Sequence, residues 1–211
     1  MKLYTYFRSS AAFRVRIALN LKGLAYDPVL VHLPKGEHRK PEYAAVDPQG
    51  LLPTLVEGEH ALSQSLAIIE YLEETHPRPR LLPEEPLGRA RVRSLSLLIA
   101  CEIHPLNNLR TLQHLKRALG QNEDQINTWY RHWIADGLSK LEADLGRGGT
   151  GRFCHGDSPT MADCCLVPQV FNAKRYSSDL GPYPTVTRIF DACMQLDAFD
   201  RAQPSKQPDA E

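Results

Sequence analysis

The sequence predicts a small α/β domain followed by an all-α domain. Three observations support this fold class. The first 74 residues alternate strand-like and helical segments, residues 77–86 (PRPRLLPEEP) are rich in proline, and the rest of the chain follows a helical period. We therefore predict an α/β domain over residues 1–77, a stiff linker over 78–87 and a helical domain over 88–211.

The α/β domain is predicted to contain a mixed sheet of four strands. Residues 2–6 (KLYTY) alternate as a strand does, and residues 11–21 follow a helical period that Gly23 is placed to end. The apolar run 27–33 (DPVLVHL) suits a buried parallel strand. Residues 52–74 read as a strand, a turn, a second strand and a helix. Parallel strands joined by a crossover helix and extended by a hairpin form such a sheet.

The second domain is predicted to be entirely helical. A long helical pattern over residues 88–119 contains Pro105, where we expect a kink or break. A helical stripe from Ile126 to Leu145 predicts a helix after a cap near Asn122, and further helices are expected over residues 161–173 and 185–196. The 161–173 helix is opened by Thr160 and Asp163 at capping-box spacing. Residues 203–211 (QPSKQPDAE) are expected to fray.

The composition argues against several classes of partner. Basic and acidic residues balance at 25 each, so no global field draws the chain to nucleic acid or anionic lipid. No apolar run is long enough to span a membrane, and the N-terminal residues do not resemble a signal peptide. The five cysteines form no CxxC motif, and no cluster of His, Cys and Asp has metal-ligand spacing. We interpret the cysteines as buried thiols of a cytoplasmic protein. Cys101 could act as a nucleophile, but its apolar surroundings (LLIACEIHP) favour a core position.

The stretch YFRSSAAFRVRIAL, residues 6–19, is the first candidate site. Ser9 and Ser10 stand at the seam between the first strand and the first helix. Either serine could simply be a helix N-cap, but the same helix terminus could also hold an anion. Arg8 precedes the serines in a loop where ligands of α/β sheets usually bind. We interpret Arg14 and Arg16, inside the helix, as structural or solvent-facing.

A second candidate site follows the long polar loop 34–49. Leu52-Pro53 lies at the mouth of the third strand, and Gln64-Ser65 opens the next helix, with Ser65 as the expected cap. Two serine-capped helix termini in one small domain form two binding sites for anionic groups. One short anionic ligand could span both. Nothing resembles a nucleophile elbow, so serine-histidine catalysis fits poorly.

Together these motifs resemble those of the zeta-class glutathione transferases, a family that includes maleylacetoacetate isomerases and, nearest to this pattern, bacterial maleylpyruvate isomerases. The resemblance rests on YFRSS, RVRIAL, LPTL, SQSLAIIEYLEE, RLLP and TMADCCLVPQV, and it covers essentially the whole chain. It implies a thioredoxin-like N-terminal domain, an all-helical C-terminal domain, bound glutathione and a homodimer.

The resemblance also assigns roles to single residues. Gln64 and Ser65 would hold the γ-glutamyl end of glutathione, and the main chain of Leu52, before a cis Pro53, would pair with its cysteinyl unit. Ser9 and Ser10 would face the sulfur. Further contacts with glutathione fall on His38, His104 and Asn108, where both histidines depart from the family's pattern.

The largest departure from the family's pattern is Ala11. The family typically carries a cysteine directly after the paired serines, so the reactive thiol here is expected to be that of glutathione. The resemblance implies isomerisation of a maleyl keto diacid by thiolate addition, bond rotation and elimination. Ser9, then Ser10, would stabilise the thiolate electrostatically. Arginines suit the anionic substrate, and the candidates are Arg8, Arg110 and Arg175. A conjugating transferase and a non-catalytic binding module remain open alternatives.

Overall fold

The computed structural model describes residues 1–211 and divides the chain into two compact units. The first unit combines Met1–Leu81 with Met194–Glu211, and the second is Leu82–Cys193. The predicted helical domain, 88–211, therefore extends too far, because its last residues belong to the first unit. The side chain of Asn20 donates a hydrogen bond to the carbonyl of Ala198 (2.9 Å), and Phe199 is fully buried. These contacts hold the segment against the first unit.

The first unit contains the predicted mixed sheet, with strand order β2-β1-β3-β4. Strands β1 and β2 are parallel, whereas β3 runs antiparallel to both β1 and β4. The strands are β1 Lys2–Thr5, β2 Asp27–Leu30, β3 Thr54–Glu57 and β4 His60–Ser63. The helices are α1 Ser10–Leu21, α2 Pro41–Ala44, α3 Ser65–Thr75 and, near the end of the chain, α10 Asp197–Asp200, with 3-10 turns at Glu37–Arg39 and Pro204–Lys206.

Strand β2 is not the buried strand that its apolar sequence predicted. It occupies one edge of the sheet, and Leu30 is 44% exposed. An apolar run indicates a strand, but strand order decides whether that strand has neighbours on both sides. The core of this unit lies instead between the inner strands and the two long helices, and includes Leu3, Phe13, Ile17 and Leu55.

The second unit consists of helices. They are α4 Pro86–Leu97, α5 His104–Asn107, α6 Leu109–Arg117, α7 Glu123–Leu145, α8 Met161–Arg175 and α9 Pro184–Met194, the last of which ends one residue beyond the unit. The capping box predicted at Thr160 opens α8, and the cap predicted near Asn122 is itself a capping box, formed with Gln125, at the start of α7. No helix in the chain is both long enough and apolar enough to cross a membrane.

The predicted interruption near Pro105 takes the form of a π-helical segment, Leu98–Ile103, followed by a break at Asn108. A Cβ atom on Gly137 would lie 2.3 Å from Cγ1 of Ile103, so the glycine lets α7 approach this segment closely. The expectation that Cys101 is a core residue was wrong, because its side chain is exposed. The wider π turn shifts the helical faces relative to the regular period on which that expectation rested.

Candidate active site

The register of the strands brings the three predicted parts of the site together at one end of β1, β3 and β4. Thr54 pairs with Tyr4 near the end of β1 and with Ser63 at the end of β4. Three segments therefore meet at the same end of the strands: the turn after β1, Leu52-Pro53 before β3 and Gln64-Ser65 after β4. More than 40 residues of sequence separate the first part from the other two, and the pairing of β1 with β3 brings it beside them.

The first part of the site is the N-terminus of α1. Ser9 is the N-cap, and its hydroxyl oxygen accepts a hydrogen bond from the Ala12 amide (3.2 Å). This bond uses a lone pair of the oxygen and leaves the hydroxyl proton available for donation. Ser10 is the first helical residue and is buried, and the first turn contains no acidic residue. The helix terminus therefore favours an anion beside the Ser9 hydroxyl.

The three arginines of the opening stretch occupy different environments. Arg8 is exposed, with its guanidinium 4.8 Å from the centre of the Phe7 ring. Arg16 is fully buried and donates to the Thr5 hydroxyl (3.0 Å) and to the carbonyls of Tyr6 (3.3 Å) and Phe7 (3.1 Å). Burial lowers the pKa of Arg16 to about 10, which leaves it protonated at neutral pH. Of the two predicted roles of Arg16, structural and solvent-facing, the structural one is therefore confirmed. The side chain fixes the turn that carries Arg8 and Ser9.

The second part of the site is the N-terminus of α3, where two expectations need correction. Ser65 is the first helical residue and not the cap; the cap is Gln64, whose φ of 69° is unusual for a residue other than glycine. Arg14 is not solvent-facing either, since it is buried and donates from Nη1 to the Ser65 hydroxyl oxygen (3.2 Å). Arg14 therefore joins α1 to the N-terminus of α3.

The third part of the site is the backbone at Leu52, which precedes a cis Pro53. The N–H and carbonyl of Leu52 make no hydrogen bond within the chain, although the residue is buried. Buried backbone groups are nearly always paired, so this pair is suited to a ligand. An extended peptide could add to the strand end through these two groups.

A buried carboxylate that the sequence analysis missed connects the second and third parts. Asp47 accepts hydrogen bonds from the hydroxyls of Ser63 (3.2 Å) and Thr54 (3.4 Å) and from the backbone N–H of Gln49 (3.0 Å). Tyr43 donates its hydroxyl proton to the Leu51 carbonyl, and burial raises the pKa of Tyr43 to about 12. The only sequence signal for this network was the position of DPQG just before LPTL.

The other predicted residue of this unit, His38, lies in the 3-10 turn Glu37–Arg39. Its Nδ1 is buried without a hydrogen-bond partner in the chain. Burial, and secondarily the neighbouring Arg39, lowers the pKa of the imidazole and so favours the neutral ring. A neutral ring offers one nitrogen as donor and the other as acceptor.

The remaining predicted residues belong to the second unit. His104 opens α5, and Asn108 caps α6 by accepting from the Thr111 amide (3.1 Å), which occupies its side-chain oxygen but not its NH₂ group. Arg110 is exposed on α6. Arg175 is exposed at the end of α8, 4.9 Å from the centre of the Tyr176 ring. All five cysteines also lie in this unit, so the first unit contains no thiol.

Comparison with known proteins identifies relatives for the whole chain. Residues 3–80 match the family model "Glutathione S-transferase, N-terminal domain", and residues 110–201 match "Glutathione S-transferase, C-terminal domain". The maleylpyruvate isomerase of a Ralstonia species is 49% identical over 211 residues, which cover all of both chains.

Two solved structures are similar over their full lengths. One is a holo structure of maleylpyruvate isomerase, described as a bacterial zeta-class glutathione S-transferase, with 49% identity, a TM-score of 0.98 and complete coverage of both chains. The other is maleylacetoacetate isomerase from Methylobacterium extorquens AM1 with bound malonate and glutathione, with 45% identity, a TM-score of 0.97 and the same coverage.

Proposed function

Because the chain belongs to the glutathione S-transferase family, in the zeta class, we propose that it is a glutathione-dependent cis-trans isomerase. Its substrate is a maleyl keto diacid, maleylpyruvate or maleylacetoacetate, and its product is the fumaryl isomer. The relatives with these activities in their names match the full length of the chain. The observation that carries the proposal is the N-terminus of α1, capped by Ser9 and without an acidic residue in its first turn, in a unit that has no thiol of its own.

The residues of the first unit fit glutathione. The tripeptide has a charged γ-glutamyl end, a cysteinyl unit with two peptide groups and a terminal carboxylate. The α3 terminus with Gln64 and Ser65 suits the γ-glutamyl end. The free N–H and carbonyl of Leu52, held in place by the cis peptide to Pro53, suit the cysteinyl backbone. The partnerless Nδ1 of His38 suits a polar group of the ligand.

Ser9 and Ser10 would act on the sulfur. When bound, glutathione supplies a thiolate that adds reversibly to the conjugated cis double bond and so permits its rotation. A free thiol has a pKa of about 8.5, so little of it is ionised at neutral pH. The Ser9 hydroxyl donates to the thiolate, and the α1 terminus adds its partial positive charge; both lower the pKa of the thiol. Serine is too weak a base to remove the proton itself.

Arginines would hold the substrate. A maleyl keto diacid carries two carboxylates and a carbonyl that gains negative charge during the reaction, and guanidinium groups bind both. Arg8, exposed beside Ser9, is assigned the role of stabilising that charge. For the second unit the proposal assigns Arg110 and Arg175 to the substrate, and His104 and Asn108 to glutathione. Malonate, bound with glutathione in the relative from Methylobacterium, is itself a dicarboxylate.

A stoichiometric assay tests the proposed reaction. Purified protein is mixed with maleylpyruvate in large excess over glutathione, and both the maleyl chromophore and the free thiol are followed. We expect the chromophore to disappear while the thiol concentration stays constant. Consumption of one thiol per substrate would instead identify a conjugating transferase. Unimpaired glutathione binding without turnover of either maleyl acid would contradict both enzymatic functions and favour a binding module.

We further propose that the enzyme is a cytoplasmic homodimer. Five unpaired cysteines suit a reducing compartment. The homodimer is what the family resemblance implies, and exposed apolar side chains such as Leu87 (85%) and Leu119 (57%) are available to an interface. Light scattering in solution should give a mass near twice 23.8 kDa; a mass near the monomer value would contradict the dimer.

A further inference from the structure

The last residues of the sequence, 203–211, contact the turn that carries the candidate catalytic residues. Asp209 Oδ2 accepts a hydrogen bond from the backbone amide of Phe7 (3.0 Å). Phe7 lies between β1 and Ser9, the N-cap of α1. The expectation that residues 203–211 fray was therefore wrong, and a carboxylate about 200 residues away along the chain reaches the candidate site.

The Phe7 residue is held from two sides. Asp209 accepts from its N–H, whereas its carbonyl accepts from Nη2 of the buried Arg16 (3.1 Å). Arg16 also donates to the preceding carbonyl, that of Tyr6. A hydrogen bond to an ionised group is about twice as strong as one between neutral groups. The two bonds of Phe7 belong to the stronger class, because one involves the carboxylate of Asp209 and the other the guanidinium of Arg16. Together they fix the direction in which the chain leaves β1 and enters α1.

The segment that delivers Asp209 is itself anchored. Arg16 donates from Nε to the Ala202 carbonyl (3.1 Å), and Gln207 donates to the carbonyls of Arg201 and Gln203 (2.9 Å each). After Asp209, the Glu211 carboxylate lies 3.1 Å from Nε2 of His32. These contacts hold the segment in place, so Asp209 has a fixed position relative to Phe7.

We propose that Asp209 is a positioning residue for the thiolate site, because its bond to the Phe7 amide sets the place of Arg8 and of the Ser9 hydroxyl. The inference rests on the proposed function. A donor must lie within hydrogen-bond reach of a developing or bound anion, and a displacement of about 1 Å can cost about a hundredfold in rate. Asp209 touches none of the groups assigned to the glutathione backbone, so it should affect the sulfur more than overall binding.

Substitution of Asp209 tests the inference. In Asp209→Ala we expect kcat to fall about tenfold and the pKa of the bound glutathione thiol, followed by thiolate absorbance against pH, to rise, while KM for glutathione changes less than about twofold. Asp209→Asn keeps an acceptor oxygen and should stay within about threefold of the original kcat. Glu74→Ala removes an exposed carboxylate of α3 in the same unit and should change neither quantity.

An Asp209→Ala protein with unchanged kcat and thiol pKa would overturn the inference, even if its melting temperature fell. Should that variant not fold, hydrogen exchange in the original protein decides: the Phe7 amide must be protected, and exchange at the rate of a free amide would overturn the inference. Failure of the proposed function is distinct, because it would appear as no isomerisation by the unsubstituted protein.

Discussion

A single hydroxyl, that of Ser9, can serve the fold and the chemistry at once. Its oxygen caps α1 by accepting from Ala12, and its proton remains for a thiolate. The structural interpretation and the functional one, which compete when only the sequence is considered, are therefore compatible. For Arg16 the sequence left a structural and a solvent-facing role open, and the structure decides for the first, since the side chain is buried and donates to Thr5, Tyr6 and Phe7.

Replacement of Ser9 tests its role at the residue scale. In Ser9→Ala we expect the pKa of the bound thiol to rise by about one to two units, because a hydrogen bond to a charged group is worth about 1.5–3 kcal/mol. Activity should then fall about tenfold to a hundredfold at neutral pH and recover as the pH rises, since alkali restores the thiolate. The measurement is the pH dependence of kcat.

Two variants control for loss of the helix cap. Ser9→Thr retains the hydroxyl and should keep most of the activity, and Asn122→Ala removes the side-chain cap of α7 and should lower stability without shifting the pH profile. An unshifted pH profile in Ser9→Ala would remove the assignment of Ser9 as the main donor.

At the scale of elements, a buried ion pair fixes α1, α3 and the start of the linker in the first unit. Lys22 Nζ lies 2.8 Å from Glu73 Oε2, and both side chains are almost completely buried. The same ammonium donates to the carbonyls of His76 (2.7 Å) and Pro79 (3.0 Å), while Glu73 accepts from the Leu81 amide. The two helices whose N-termini form the candidate site are thus tied together at a second point.

Glu73→Gln should destabilise the protein by about 3–5 kcal/mol, because it leaves the Lys22 ammonium buried without its counter-charge. Urea unfolding gives the free energy of unfolding directly. Asp136→Asn is the matched control, since it neutralises the carboxylate of an exposed pair with Lys140, for which about 0.5 kcal/mol is expected. Equal stability losses in the two variants would contradict the structural role given to the buried pair.

For the whole molecule, the sequence predicts the sheet, the two-part organisation and the segments that form the candidate site. These depend on the order of elements and on local signals such as the capping box at Thr160. What it does not predict depends on packing between distant segments. The exposure of β2 follows from the strand order, and the exposure of Cys101 follows from a π turn. The contact between Asp209 and Phe7 follows from the path of residues 203–211. The roles of Gln64 and Leu52 came from the family resemblance.

The central claim is that the reactive thiol belongs to glutathione and not to the protein. The most direct test follows maleylpyruvate isomerisation by glutathione-free protein, then with glutathione, and then with γ-glutamyl-2-aminobutyryl-glycine, in which a methyl group replaces the thiol. We predict turnover only with glutathione, and competitive inhibition by the analogue. Turnover without glutathione, particularly if abolished by Cys101→Ser, which replaces the one exposed cysteine, would contradict the claim.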